Sequence, residues 1–139
     1  MDERSFFREV ARSLRCDERR AESIVFIVFQ ELRARITTKE SADVAAQLPG
    51  GLKRLWLENE SRDRPVQRTH LIDFLGHVRQ RAALPDDLEA ERGTRAVFGA
   101  LQLLLGSPTG TEGEAWDIFS QLPKDLKILW LSSARGHHH

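Results

Sequence analysis

Cysteine, histidine, long apolar runs and an excess of one charge are scarce or missing in this chain of 139 residues. A single cysteine, Cys16, excludes an internal disulfide, and the opening MDERSFFREV lacks the apolar segment of a secretory signal, so a reducing, cytoplasmic setting is expected. No stretch approaches the roughly eighteen apolar residues that a membrane-crossing helix needs, so no membrane role is expected. Lysine plus arginine equals aspartate plus glutamate at 21 each, so no global field would hold nucleic acid or an anionic bilayer; only local patches could. Three of the five histidines close the chain as GHHH, which reads as a purification-tag remnant (137–139) and leaves His70 and His77.

What the chain does contain is an internal duplication. Residues 47–57 read QLPGGLKRLWL and residues 121–131 read QLPKDLKILWL, identical at eight of eleven positions at a spacing of 74. The match extends upstream to Thr37 with Thr111, Glu40 with Glu114 and Asp43 with Asp117, and more loosely to apolar runs centred on Phe26 and Phe98. Repetition at a fixed period indicates one supersecondary unit used twice, each copy too small to bury its own apolar face.

Each copy reads as four helices. In the first, Phe6, Phe7, Val10 and Leu14 recur at helical spacing over Ser5 to Leu14. The run Ile24 to Phe29 has strand propensity on its own, but its counterpart AVFGAL continues into QLLL, which favours helix. Long helices are therefore expected over Glu18 to Ile36 and Asp86 to Leu105, in contact at the centre. Thr37 with Glu40, and Thr111 with Glu114, have capping-box spacing and start a third helix. Its buried stripe would be Ser41, Val44, Ala45 and Leu48, or Ala115, Ile118, Phe119 and Leu122. Pro49 and Pro123 end it and suit the first position of a short fourth helix. The segment ENESRDRPVQR is polar and aperiodic, so residues 59–68 form the linker between repeat 1 (about 1–58) and repeat 2 (about 69–132). The expected fold is all-α: two tandem four-helix repeats with pseudo-two-fold symmetry in one compact domain over 1–136. A longer turn is expected at Gly106 to Gly110.

An apolar long helix, a T-x-x-E start and the QLP..L..LW block, present in both halves, resemble the bacterial domain of unknown function 2267 family, whose members carry this unit in two copies. The resemblance spans about Phe6 to Leu131. It implies an all-helical bacterial cytoplasmic protein and brings no catalytic residues with it. Trp116, opposite Ala42, departs from a plain repeat.

Four groups of residues are candidates for chemistry. His70, Asp73 and His77 lie at i, i+3 and i+7, and imidazole with carboxylate suits zinc or nickel, but i and i+7 are two turns, roughly 10 Å, apart and seldom share one ion. No metal and no cofactor is therefore assigned. The acidic stripes Glu40, Asp43, Gln47 and Glu114, Asp117, Gln121 would need to converge with other carboxylates to do acid–base or magnesium chemistry. The cheaper reading completes capping boxes with the glutamates, sets the aspartates in the helix dipole, and bonds each glutamine to backbone freed by the following proline. Cys16 among Arg15, Arg19 and Arg20 could be an activated thiol, but no histidine stands near it in sequence. Arg15, Arg19, Arg20, Arg62, Arg64 and Arg68 are candidates for phosphate contacts, interleaved with acids and without a glycine-rich loop.

Trp56 and Trp130, with Lys53 and Lys127 beside them, are the candidates for protein interaction, because tryptophan is enriched in binding hot spots. The alternative is that both plug the repeat cores. With no convergent reactive group, the expectation is a non-enzymatic protein-interaction domain, an adaptor or accessory subunit that binds another protein or a second copy of itself. The alternative is a nucleic-acid-binding or regulatory protein using the arginine clusters.

Overall fold

The computed structural model describes residues 1–105 and 113–134, which hold eight helices and no strand. They are α1 (Glu3–Leu14), α2 (Glu18–Arg33), α3 (Thr38–Gln47), α4 (Gly50–Leu57), α5 (Leu71–Arg81), α6 (Asp87–Leu105), α7 (Glu114–Gln121) and α8 (Lys124–Ser132). The domain is compact and all-α, as expected, and the strand-like run Ile24 to Phe29 lies inside α2. The turn anticipated at Gly106 to Gly110, and Thr111 with its expected capping box, lie outside the described residues.

Local chemistry sets most helix starts. The Asp2, Asp17 and Thr37 side chains accept from the backbone N–H groups of Ser5, Arg20 and Glu40 at 2.8, 2.7 and 3.1 Å. Pro49 and Pro123 each occupy the residue just before a helix rather than its first turn, with ψ near 155° in both. Their carbonyls accept from Lys53 and Lys127, both at 2.8 Å.

The two long helices form the centre, α2 touching α1, α4, α5 and α6, and α6 touching α1, α5, α7 and α8. They meet at Ile24 and Gly93, where a Cβ at residue 93 would stand 3.3 Å from Ile24 Cγ2, so a glycine lets the backbones close. Around this contact each half packs a row of three aromatic rings, tilted or edge to face. Phe6 lies 5.9 Å from Phe29, which lies 5.2 Å from Trp56. Phe74 lies 5.9 Å from Phe98, which lies 4.9 Å from Trp130.

These stacks correct the expected alignment of the long helices. Phe98 does in its half what Phe29, not Phe26, does in the other, and Phe26 is only partly buried. Arg33 donates to the Trp56 carbonyl and Gln102 donates to the Trp130 carbonyl, at the same 69-residue offset as Phe29 and Phe98. The offset is 74 in the third and fourth helices, so the additional residues of the second copy fall between α6 and α7. An all-round apolar helix offers several registers to a sequence match, and only contact with the tryptophan selects one.

A second reciprocity joins the first helix of each half to the fourth. Glu3 of α1 accepts from the Gly51 N–H of α4 at 2.9 Å, and a Cβ at residue 51 would collide with that carboxylate. In the other half the acid sits on α8, where Asp125 accepts from the Leu71 N–H of α5 at 3.0 Å. The GG-to-KD difference between the QLP blocks is thus one carboxylate moved across the same junction.

Phe29→Ala and Phe98→Ala should each lower stability by about 3–5 kcal/mol, whereas Phe26→Ala should lose roughly 1–2 kcal/mol. Urea unfolding of the three variants checks this, and equal losses at Phe26 and Phe29 would refute the register.

Candidate functional site

The structure distributes the residues singled out in the sequence very unevenly. Trp56 and Trp130 are not surface anchors: both are buried, and the Trp56 indole N–H donates to the Ser41 carbonyl at 3.0 Å. The i+4 relation to Leu52 and Leu126 turned both rings inward. Lys53 stays exposed, while Lys127 lies over the Phe119 ring with its ammonium 5.5 Å from the centroid.

The arginine candidates do not form one patch of free cations. Arg20 donates to the Ala82 carbonyl at 2.6 Å, and Arg15 ends α1 in a left-handed conformation. Arg64 is held by Glu60 at 2.7 Å and by the Ile36 carbonyl at 3.0 Å. Glu60 also accepts from Ser41 and lies 3.4 Å from buried Arg33. Burial pushes the Glu60 carboxyl up, but hydrogen bonds from Arg64 and Ser41 and the charges of Arg33 and Arg64 outweigh it and hold it below its ordinary value. The linker is therefore fastened through Arg64, while Arg19, Arg62 and Arg68 are exposed. The Cys16 thiol is pushed up by burial and by Asp17, the opposite of an activated nucleophile.

His70, Asp73 and His77 do not converge on a metal. His70 Nδ1 faces Asp125 of α8 at 3.5 Å, whereas His77 Nδ1 faces Glu31 of α2 at 3.0 Å, and Asp73 is exposed. Two turns of helix direct the imidazoles to different neighbours, as their spacing implied.

One surface does gather several candidates. Gln67, Arg68, His70, Gln121, Leu122, Pro123 and Lys124 line a groove of about 270 Å³ at the start of α8. From Lys124, the i+3 and i+4 steps along α8 lead to Lys127 and Ile128, and then to Leu131. Ile128 and Leu131 are 61% and 56% exposed. Beside Lys127, α7 presents Trp116 stacked on Phe119 with ring centroids 4.9 Å apart, Trp116 being exposed. The first copy has Ala42, Ala45 and Arg54 where the second has Trp116, Phe119 and Ile128. Sequence reasoning followed the tryptophans the copies share and noted Trp116 only as a departure from the repeat.

Carboxylates gather on the neighbouring contact of α3 with α7. The Thr37 hydroxyl accepts from Glu40 N–H as expected, but the Thr37 N–H donates to Gln121 Oε1 of the other half, at 2.9 Å. Glu40 is therefore not the reciprocal member of a capping box, and Gln121 does not serve the backbone before its own proline. Oxygens of Glu40, Glu114 and Asp117 instead lie within 4.8 Å of one another. Burial, reinforced by Asp117 and opposed by Lys39, raises the Glu114 carboxyl above its ordinary value.

Fold and surface together define a small all-helical domain with a duplicated motif, a reinforced aromatic core and one apolar, lysine-flanked face. No helix among the described residues is long and apolar enough to cross a membrane. Residues 3–129 match the family described as uncharacterized conserved protein (DUF2267), and the chain belongs to that family. A comparison with curated proteins finds no match.

Replacing Glu60 by Gln should cost about 3 kcal/mol at neutral pH, because Arg33 is left buried without its counter-charge. Since the folded carboxyl titrates below the usual 4.5, its contribution is full above that value and is lost as pH falls through the folded value. The acid limb of stability against pH should be shallower in the variant, and urea unfolding at pH 7 and pH 3.5 checks both statements.

Proposed function

We propose that the domain is a non-enzymatic protein-interaction module, an adaptor or accessory subunit of a bacterial cytoplasmic assembly, and that it binds through the α7–α8 face. The observation that carries this reading is the asymmetry of the duplication: where the first copy has Ala42, Ala45 and Arg54, the second has Trp116, Phe119 and Ile128. Core packing does not account for Ile128, which is 61% exposed, or for the open part of Trp116, which is 38% exposed and stacked on Phe119. Clustered exposed aromatic and aliphatic side chains are the usual centre of a protein interface.

The chemistry of the face suits one kind of partner. Apolar Ile128, Leu131 and Trp116 adjoin Lys124 and Lys127, and the groove beside Lys124 adds Arg68 and His70. A segment with two or three apolar side chains next to carboxylates, such as the acidic amphipathic helix of another protein, complements both parts. The lysines steer the encounter, and the rings supply most of the affinity.

The double variant Trp116→Ala, Ile128→Arg moves the face toward the first copy; it removes the stacking of Trp116 on Phe119 and should lose about 1–2 kcal/mol while remaining folded, as urea unfolding checks. Crosslinking capture from the source organism should recover a partner with the parent protein and lose it with the variant. Recovery of the same proteins by both would refute the assignment.

A further inference from the structure

The contact between α3 and α7 places equivalent acids from the two halves of the chain together. Glu40 stands in the first turn of α3, and Glu114 and Asp117 stand at the start of α7. Their carboxylate oxygens lie within 4.8 Å of one another. Glu40 is only 7% exposed, and the buried Oε2 of its clustered carboxylate has no hydrogen-bond partner. The buried Glu114 Oε2 has none either. We infer that Glu40, Glu114 and Asp117 form a binding site for an oxygen-preferring divalent cation of the calcium class, which ties α3 to α7.

A buried carboxylate oxygen without a donor is costly, and so is a second carboxylate set against it. Partial positive charge at the two helix starts offsets some of that repulsion. Among the described residues, basic side chains do not remove the rest. Lys39 acts on Glu114, but it is largely exposed and pairs with Asp43 at 3.7 Å. A proton shared between Glu40 and Glu114 would relieve one pair and leave Asp117 out, whereas a cation engages all three.

The ligand set favours calcium over magnesium: three carboxylates held by helix packing suit the flexible coordination of calcium, whereas magnesium demands near-ideal octahedral geometry and keeps most of its water beside one or two carboxylates. Carboxylate oxygens are the ligands calcium prefers, and exposed Asp117 leaves a side open for entry and for water to complete the shell. Three protein ligands among the described residues place the affinity in the range of about 0.1–1 mM. The cation would bind across the same contact that Thr37 and Gln121 bridge by a hydrogen bond, so binding couples directly to the association of the halves.

Melting of the full chain in chelator-treated buffer at pH 7.5, with calcium chloride as the only addition, tests the site. The terminal histidines do not interfere, because calcium takes oxygen in preference to imidazole. Ten times the dissociation constant should raise Tm by about 4 °C in the parent protein. Glu40→Gln and Glu114→Gln should abolish the rise, and Asp117→Asn, at an exposed position, should reduce it. In the absence of calcium the two Gln variants should melt at or above the parent. A parent Tm that ignores calcium, or a rise retained in all three variants, would overturn the site. So would a parent that gains stability only as pH falls toward 6, with Glu114→Gln insensitive to pH, since a shared proton would then account for the cluster.

Discussion

The close approach of α2 and α6 at Ile24 and Gly93 is the contact on which the rest of the domain is arranged. Each long helix is buried over most of its circumference, so neither could stand with its own copy alone. Once they meet, each presents one phenylalanine to the short helices on its outer side. Phe29 and Phe98 then pack against Trp56 and Trp130, which carry α4 and α8 onto the core. Aromatic contacts of this kind add about 0.5–1.5 kcal/mol each beyond area burial, enough to choose among registers that simple apolar patterning leaves equivalent.

Around this shared centre the two copies diverge in their polar fastenings. Arg33 and Gln102 serve the same tryptophan carbonyl position with different side chains, a cation that needs Glu60 in one half and a neutral amide in the other. Glu3 and Asp125 both accept across the same helix junction, the acceptor lying on the first helix in one half and on the fourth in the other. A duplication under these constraints keeps the buried geometry and is free to vary the surface. That freedom has put Trp116, Phe119 and Ile128 on one face and left the corresponding first-copy face small and polar.

Much of the fold was legible because its signals are local and repeated. The capping residue Thr37 acts within its own turn, and the prolines stop helices by geometry that no distant contact can reverse. The candidate site was far less legible. Trp56 and Trp130 drew attention because both copies keep them, and repetition is what a core position produces. The acids Glu40, Glu114 and Asp117 read as helix-start residues because sequence spacing within one helix carries no information about a carboxylate arriving from the other copy.

The chain by itself determined that this would be a helical domain with its elements used twice, because periodicity, caps and breakers operate over a few residues. Tertiary structure alone decided the register of α2 against α6, the inward turn of the shared tryptophans and the meeting of acids from α3 and α7. Those outcomes depend on which side chains face each other across helices dozens of residues apart, and that follows from packing in three dimensions rather than from spacing along one strand of sequence.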